Sequence, residues 1–498
     1  MDITPDFETF ARAWRAGKNQ TVWTTLVSDM ETPVSAMLKL GQNKPYCFLL
    51  ESMEGGAVRG RYSIIGREPD LIWKCDKGGK VTINRQALKT HDNFEAVAKP
   101  PMEALRAMLD ECAINDANQP QPMAAGMFGY LGYDTVRYME KLPDFKGQGT
   151  GVPEAILIRP TLLAIFDQIE NKFTLVTPAW FEKNVSAEEA YKAAKQRLEK
   201  AVHDLQHASA EMPAPAAKAN MPEPKSNTSE DAYVGMVNRA KEYIKAGDIF
   251  QVVLSQRFSV PFTLPALSLY RTVRRLDPSP FLYFFDMKDF SIVGSSPEIL
   301  VRVRENKVTI RPIAGTRPRG IGNKTDKELE TELLADPKEL SEHLMLLDLG
   351  RNDVGRVAKT GTVKVTARNT IEYYKHVMHI VSNVEGELDP KHTPLDALMG
   401  GFPAGTVSGA PKVRAMEIIA ELEPDRRGVY AGCIGYFGAN GTMDTAISIR
   451  TAVIKDGVMH VQAGAGIVYD SDPQSEYREC VAKARGMIKA AEETTRGN

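Results

Sequence analysis

The chain has 498 residues, 43% hydrophobic and 25% charged, an ordinary balance for a folded globular protein. Its 62 basic and 64 acidic side chains leave a net charge of −2, so nothing in the balance calls for nucleic acid or an anionic membrane. No apolar run nears the roughly 18 residues of a membrane helix. The start MDITPDFETF lacks the blocks of a secretory signal, and five scattered cysteines suit a reducing cytoplasm better than a disulfide framework.

In chain order, residues 7–17 read as a short helix, and PYCFLLES (45–52) and RYSIIG (61–66) as strand-like segments. LLES reads most simply as the end of a buried strand. A helical patch follows near 101–113, then AAGMFGYLGYD (124–134), a glycine-bent strand or turn. VPEAILIRPTLLAIFD (152–167) reads as two apolar runs broken at Arg159-Pro160, a pair of strands. Ser186 and Glu189 form a capping box that opens a helix running towards Gln206. Residues 207–227 hold four prolines and no aliphatic stripe, which marks an exposed, mobile linker between 1–206 and 228–498. Thr228 and Asp231 then cap a helix with Tyr233, Val237, Ala240 and Ile244 on one face, ended by Gly247, and the strand IFQVVLSQRF follows. From there strands and helices alternate in a mixed α/β pattern. No solenoid repeat, dinucleotide fingerprint or phosphate loop occurs.

The chemistry gathers around GGFPAGTVSGAPKVRAME (400–417). Gly405, Ser408 and Gly409 permit close backbone approach to a ligand, and Pro411 suits a first helical turn, whose free N–H groups attract an anion. Such loops are also common as plain turns. Asp336-Pro337 opens a helix with Glu339 and Glu342 at i,i+3, away from an expected stripe of Leu340, Leu344 and Leu347. Asp472-Pro473 repeats the design with Glu476 and Glu479, joined by Lys483, with Tyr477, Val481 and Ala484 as the apolar side. Paired carboxylates are either solvated faces or seats for a hard cation, and Mg²⁺ takes one or two of them plus water and substrate oxygens. Arg450 on a strand-like alternation offers a bidentate carboxylate contact, with Tyr430 and Thr406 in support. His379 is either a satisfied structural histidine or the best general base of this half. RPIAGTRPRG (311–320) crowds arginines around a turn and would draw an anion inward. Cys433, in an apolar strand, reads as core.

At these residues the sequence resembles the chorismate-utilising enzymes, and within them the large subunits (component I) of anthranilate synthases. The match covers essentially the whole chain, strongest from about Ser229 to Gly486, through GSSPEIL, RPIAGTRPRG, ELSEHLMLLDLGRNDVGRV, HVMHIVSNVEG, GGFPAGTVSGAPK, YAGCIGYF, AISIRTA and QAGAGIVYDSDPQSEYRE. The resemblance implies a composite mixed α+β fold of two facing β-sheets with helices outside. Residues 1–206 would carry a regulatory site, 207–227 a linker and 228–498 the chorismate-binding catalytic region. It implies Mg²⁺ held by Glu342 and Glu479 with Glu339 and Glu476 close by. Chorismate would be bound by Gly315, Thr316, Thr406, Tyr430, Arg450, Gly464, Gly466 and Lys483. Glu298 would protonate the leaving 4-hydroxyl while ammonia attacks C2, and His379 would take the C2 proton as pyruvate leaves, with Thr406 at the catalytic centre. The product would be anthranilate, at the first step of tryptophan biosynthesis.

Ala314 stands where aminodeoxychorismate synthases usually carry a nucleophilic lysine, which argues for direct attack by ammonia. DPSPFLYFF (277–285) resembles the anthranilate family's SPY/F element, with Asp277 and Phe281 replacing its usual asparagine and tyrosine. LLES matches the family's tryptophan feedback site, so L-tryptophan would be surrounded by Leu50, Glu51, Ser52, Arg61, Pro280, Phe281 and Leu282. From the residues alone this is an acid for an ammonium and an apolar wall for an indole, and equally any strand end. No glycine-flanked cysteine elbow is present, so a separate glutamine amidotransferase subunit would supply ammonia, in a heterotetramer. Two readings compete: a 4-amino-4-deoxychorismate or salicylate/isochorismate producer, against which Ala314 and LLES speak, and a non-catalytic amino-acid-sensing or scaffold subunit of the same fold, which expects lost acids although all six acid and base positions are filled.

Overall fold

Two long strands, Val58–Asp76 and Ala155–Asp167, pair antiparallel and carry the architecture. The computed structural model describes residues 1–27, 29–41, 44–54, 58–114, 119–211, 221–320 and 324–496. Ala155–Asp167 is one fully buried strand, where the sequence had suggested two. The cause lies at Arg159-Pro160. Pro160 faces Pro69, and the register shifts between Pro69 and Leu71. Prolines cannot donate to the ladder, so the pair bends there without ending, as strands do when they pass from one sheet to another.

One half of this pair belongs to each of two sheets. From Tyr62–Arg67 the first sheet runs through Cys47–Glu54, Phe281–Asp286, Phe290–Ser296, Thr451–Lys455 and Val458–Ile467 to Gln251–Pro261. From Ala155–Ile158 the second runs through Gly126–Leu131, Cys433–Gly438, Met443–Ile447, Ile299–Arg304 and Lys307–Ile310 to Val377–Glu387. All of these pairings are antiparallel. Strands from before residue 207 thus pair with strands from after 227, as in Cys47–Glu54 with Phe281–Asp286.

Between the sheets lies a core of Phe48, Ile64, Tyr283 and Ile292 from the first and Ile72, Phe128, Ile434 and Tyr436 from the second. Alternation along each strand sends the intervening apolar residues outward, where helices cover them. Leu198, Tyr270 and Met487 pack over the first sheet, and Leu105, Leu395 and Leu398 over the second. This is a mixed α+β fold. Among the described residues no helix is long and apolar enough to cross a membrane.

Local signals mostly held. Ser186 and Glu189 make a reciprocal capping box on Ala187–His207. The helix Glu230–Lys245 is capped by Ser229, one residue beyond the expected Thr228, and Gly247 (φ 84°) follows its end. The centre of the proposed linker, 212–220, lies outside the described residues. Its end, Lys225–Ser226, pairs with Phe258–Ser259.

Candidate active site

The turn at Glu298, the strand bearing His379, Arg450 and the glycine loop converge: a cleft here is lined by Glu298, Gly405 and Thr406, and Arg450 acts on both Glu298 and His379. Glu298 connects Phe290–Ser296 to Ile299–Arg304, is 7% exposed, and accepts a 3.0 Å hydrogen bond from Thr406 Oγ1. Burial pushes its pKa up to about 8, with Thr406 and the Arg450 guanidinium pulling the other way. It therefore holds a proton near neutrality.

His379 stands on Val377–Glu387, opposite Thr316 of Ile313–Pro318. Its Nδ1 lies 3.0 Å from Thr316 Oγ1 and 3.2 Å from the Gly315 carbonyl. Burial, helped by Arg450, pushes its pKa down to about 4, so the ring is neutral. With the Nδ1 proton donated to Gly315, Nε2 keeps a lone pair. Arg450 acts electrostatically on both the acid and the base. It precedes the strand Thr451–Lys455 instead of lying on it, at φ 49°. Among the described residues its Nη1 makes only long contacts, 3.5 Å to Ser279 Oγ and 3.9 Å to Asp277 Oδ2, which leaves the guanidinium available to a carboxylate.

Gly464 and Gly466 lie on Val458–Ile467. A Cβ at Gly464 would stand 2.8 Å from the Tyr430 hydroxyl, and one at Gly466 2.5 Å from Gln251 Nε2. Lys483 Nζ donates to the Gly464 carbonyl at 3.0 Å and pairs with Glu479 at 2.8 Å. Thus the glycines, Tyr430 and Lys483 of the sequence reading are brought together.

The two acidic helices, Pro337–Gly355 and Pro473–Thr495, are capped by Asp336 and Asp472 as expected. Their pairs also approach one another: burial raises the Glu342 pKa, and Glu339 and Glu479 add to the rise. Burial likewise raises Glu476, with Glu479 contributing. Carboxylates that resist losing their protons together are ones a cation would relieve. Among the described residues no three His, Cys, Asp or Glu side chains stand in metal-holding geometry. The donor set is one of carboxylate pairs, which fits Mg²⁺ completed by water and substrate oxygens better than a protein-only cage. Glu339 is engaged by Arg317 at 2.9 Å.

The first acidic helix is rotated relative to expectation. Leu344 is 46% exposed, while His343, Leu346, Leu347 and Gly350 are buried. This places Glu342 on the inner side, where Gln251 Nε2 donates to it at 3.1 Å. Gln251 was missed by the sequence reading. It is 4% exposed and its Oε1 has no partner among the described residues. A polar residue inside the apolar strand IFQVVLSQRF was the available signal.

The glycine loop works differently from its sequence suggestion. After the turn Gly405–Val407, Gly409–Ala410 pairs with Gln251–Val252. A Cβ on Gly409 (φ 134°) would lie 2.2 Å from the Gln251 carbonyl, so the close approach is to the neighbouring strand. Pro411 is the cap of Lys412–Leu422 and not its first residue. Lys412 itself pairs with Asp353 at 2.8 Å. The loop presents Thr406 to Glu298. Nor do the arginines of 311–320 form an open basic turn. Arg317 lies on the paired strand Ile313–Pro318, with Arg311 and Arg319 just outside it, and Arg311, Arg317 and Arg319 are neutralised by Glu372, Asp336 and Asp326 respectively.

A second cavity opens between the sheets and is lined by Leu50, Glu51, Ser52, Phe281, Leu282, Tyr436 and Asp444, among others. Five of the expected inhibitor residues line it. Arg61 does not; it pairs with Asp167 at 2.8 Å and Glu170 at 3.2 Å. Pro280 precedes the strand and is also outside the lining. The Glu51 carboxylate is taken by Arg274, Tyr270 and Ser63. Among the described residues Asp444 Oδ1 in this lining has no partner, while its other oxygen binds Arg302 and Arg304.

Comparisons with known proteins show the family and the fold. The family model described as chorismate binding enzyme matches residues 45–489. The chain is 52% identical over 487 residues to an anthranilate synthase component 1 of Cereibacter sphaeroides, covering 98% of this chain and 97% of that one. It is 45% identical to that of Thermus thermophilus, covering 94% and 97%. The crystal structure of anthranilate synthase component I from Streptococcus pneumoniae superposes with a TM-score of 0.76 at 36% identity, over 93% of this chain and 98% of that one. The Escherichia coli isochorismate synthase MenF shares the fold, with a TM-score of 0.72 at 19% identity, over 97% and 98%.

Proposed function

The chain belongs to the chorismate-binding enzymes, and we propose that within this family it is an anthranilate synthase large subunit, converting chorismate and ammonia to anthranilate, pyruvate and water. One observation carries the reading. A buried acid with its pKa pushed up to about 8 and a neutral histidine pushed down to about 4 share the influence of one guanidinium. Such a pair supplies an acid and a base at the same pH.

In this reading Arg450, Tyr430, Lys483 and the glycine strand bind and orient the substrate carboxylates. Glu298, held by Thr406, gives its proton to the departing 4-hydroxyl, which leaves as water while ammonia forms the bond to C2. His379 Nε2 takes the C2 proton as the enolpyruvyl group leaves and, protonated, becomes pyruvate. Mg²⁺, when bound by Glu342 and Glu479 with Glu339 and Glu476 nearby, would neutralise substrate carboxylate charge. Ala314, paired across from Ile380, has no nucleophile to offer, which favours direct attack by ammonia.

We assign ammonia supply to a separate glutamine amidotransferase subunit, in a cytoplasmic heterotetramer; the component 1 names of the relatives support a second component. The inter-sheet cavity supports feedback by L-tryptophan: Leu50 and Phe281 offer an apolar wall, and Asp444 Oδ1 rather than Glu51 would receive the ammonium.

The test is to incubate the purified chain with chorismate, an ammonium salt at alkaline pH and Mg²⁺, following anthranilate fluorescence and pyruvate. Both should appear, and both should vanish with EDTA. Glutamine alone should give neither. Consumption of chorismate without fluorescence would point to an aminodeoxy- or hydroxy-chorismate product instead.

A further inference from the structure

Behind the cleft lies a buried ion pair that no motif announces. Arg427 and Glu423 have side chains only 1% and 4% exposed and bond at 2.6 Å. Arg427 also donates from Nη1 to the Val407 carbonyl and from Nη2 to the Val253 carbonyl, each at 2.7 Å. Its guanidinium lies 4.6 Å from the Tyr133 ring centroid and 5.6 Å from that of Tyr430. Glu423 in turn accepts from the Ser255 amide and hydroxyl, both at 2.8 Å.

These partners are the supports of the site. Val407 follows Thr406. Val253 and Ser255 are the cross-strand neighbours of Gly466 and Gly464. The Val253 amide donates to the Ser408 carbonyl at 2.9 Å, closing the loop onto the strand. The Tyr430 hydroxyl stands over Gly464, so the contacts form a closed circuit: Glu423, Ser255, Gly464, Tyr430, Arg427.

We propose that Arg427 and Glu423 are positioning residues for the chorismate site, clamping the glycine loop, the strand beside Gly464 and Gly466, and Tyr430 into one arrangement; this rests on the function proposed above. Stability alone is a poor reason for such a pair. Desolvating two charges offsets most of their attraction, and apolar pairs of similar volume are often as stable. What an apolar pair cannot do is hold two carbonyls, an amide and a hydroxyl at once. The planar fork of arginine does this with fixed angles, which lysine lacks. The cation against the Tyr430 face also favours a phenol that donates its proton in a hydrogen bond.

The experiment compares Glu423→Gln, Arg427→Lys and the milder Ser255→Ala with the parent chain in ammonia-dependent turnover, chorismate binding by calorimetry, thermal unfolding and amide hydrogen exchange. Glu423→Gln and Arg427→Lys should lower kcat/KM for chorismate roughly 100-fold, chiefly through KM, when assayed well below their unfolding midpoints. Ser255→Ala should shift KM in the same direction by less. In a Tyr430→Phe background the Glu423→Gln penalty should shrink, because both act through one phenol; a merely structural role predicts simple additivity. Amides of Val253, Ser255 and Val407 should exchange faster in unliganded Glu423→Gln while the inter-sheet core keeps its protection. Parent-like KM and kcat in folded variants, or unchanged exchange at those amides, overturns the clamp. Failure of the parent chain to bind or convert chorismate overturns the proposed function instead, and the exchange result still decides the clamp. Should Arg427→Lys fail to fold, Glu423→Gln and Ser255→Ala carry the decision.

Discussion

The catalytic cleft and the inter-sheet cavity are built from the same sheets by opposite means. In the cleft, Glu298 and His379 are taken out of water and left partly unpaired: among the described residues the Glu298 carboxylate is held by Thr406 alone, and Arg450 Nη1 makes long contacts. In the cavity, the charges at the wall are mostly matched. Glu51 is bound by Arg274 and Tyr270, and Asp444 by Arg302 and Arg304. Unmatched buried charge stores reactivity, and matched charge stores shape. A region built for chemistry should therefore respond to loss of a proton donor with its activity, and a region built for shape with its stability or ligand affinity.

The sharpest test of that contrast is Glu298→Gln, which should lower kcat on the order of 10³-fold with an unchanged unfolding midpoint and unchanged tryptophan binding. The same acid sets a pH limit. In its proposed role Glu298 acts protonated, so at constant free ammonia kcat should fall as pH rises through about 8; His379, neutral above about 4, should impose no loss between pH 5 and 8. A flat profile through pH 9 would remove Glu298 from the acid's role.

On the cavity side, Glu51→Gln should destabilise the fold by about 3 kcal/mol, the low end for a broken buried pair because Arg274 is partly exposed. Urea unfolding would measure it, and kcat of the folded protein should be close to the parent's. If activity fell and stability did not, the comparison would be drawn the wrong way round.

A smaller effect separates the two carboxylates of one acidic helix. Glu342→Gln should weaken Mg²⁺ dependence by roughly 10- to 100-fold, and Glu339→Gln by less, since Arg317 already occupies that carboxylate. Equal losses in a Mg²⁺ titration of activity would contradict the asymmetry. Smallest of all should be the catalytic effect of Ser52→Phe. It should fill the cavity and abolish the proposed tryptophan binding, read by calorimetry, while changing kcat by about twofold or less.

The cleft was more legible in the sequence than the cavity, for a geometric reason. Glu298, His379, Thr406, Tyr430 and Arg450 sit at strand ends and turns, where several side-chain directions are open to the cleft. In the cavity, Glu51 and Ser52 sit mid-strand, where successive side chains face opposite ways. LLES located the cavity, but alternation sent Ser52 to one face and the Glu51 carboxylate to the other. The same limit misplaced the leucine stripe of Pro337–Gly355, because a helix with polar residues on both faces has no unique rotation in its own sequence.

Sequence by itself determined the local punctuation and the chemistry. The caps at Ser186, Asp336 and Asp472, the glycine after Glu230–Lys245 and the paired acids are all consequences of contacts within a few residues. Tertiary structure alone decided that Arg159-Pro160 bends one strand between two sheets and that Gln251 reaches Glu342. It alone joined Arg427 to carbonyls 20 and 174 residues away. Those outcomes depend on which strands lie side by side, and a buried donor finds its acceptor only once the backbone groups around it are fixed in place.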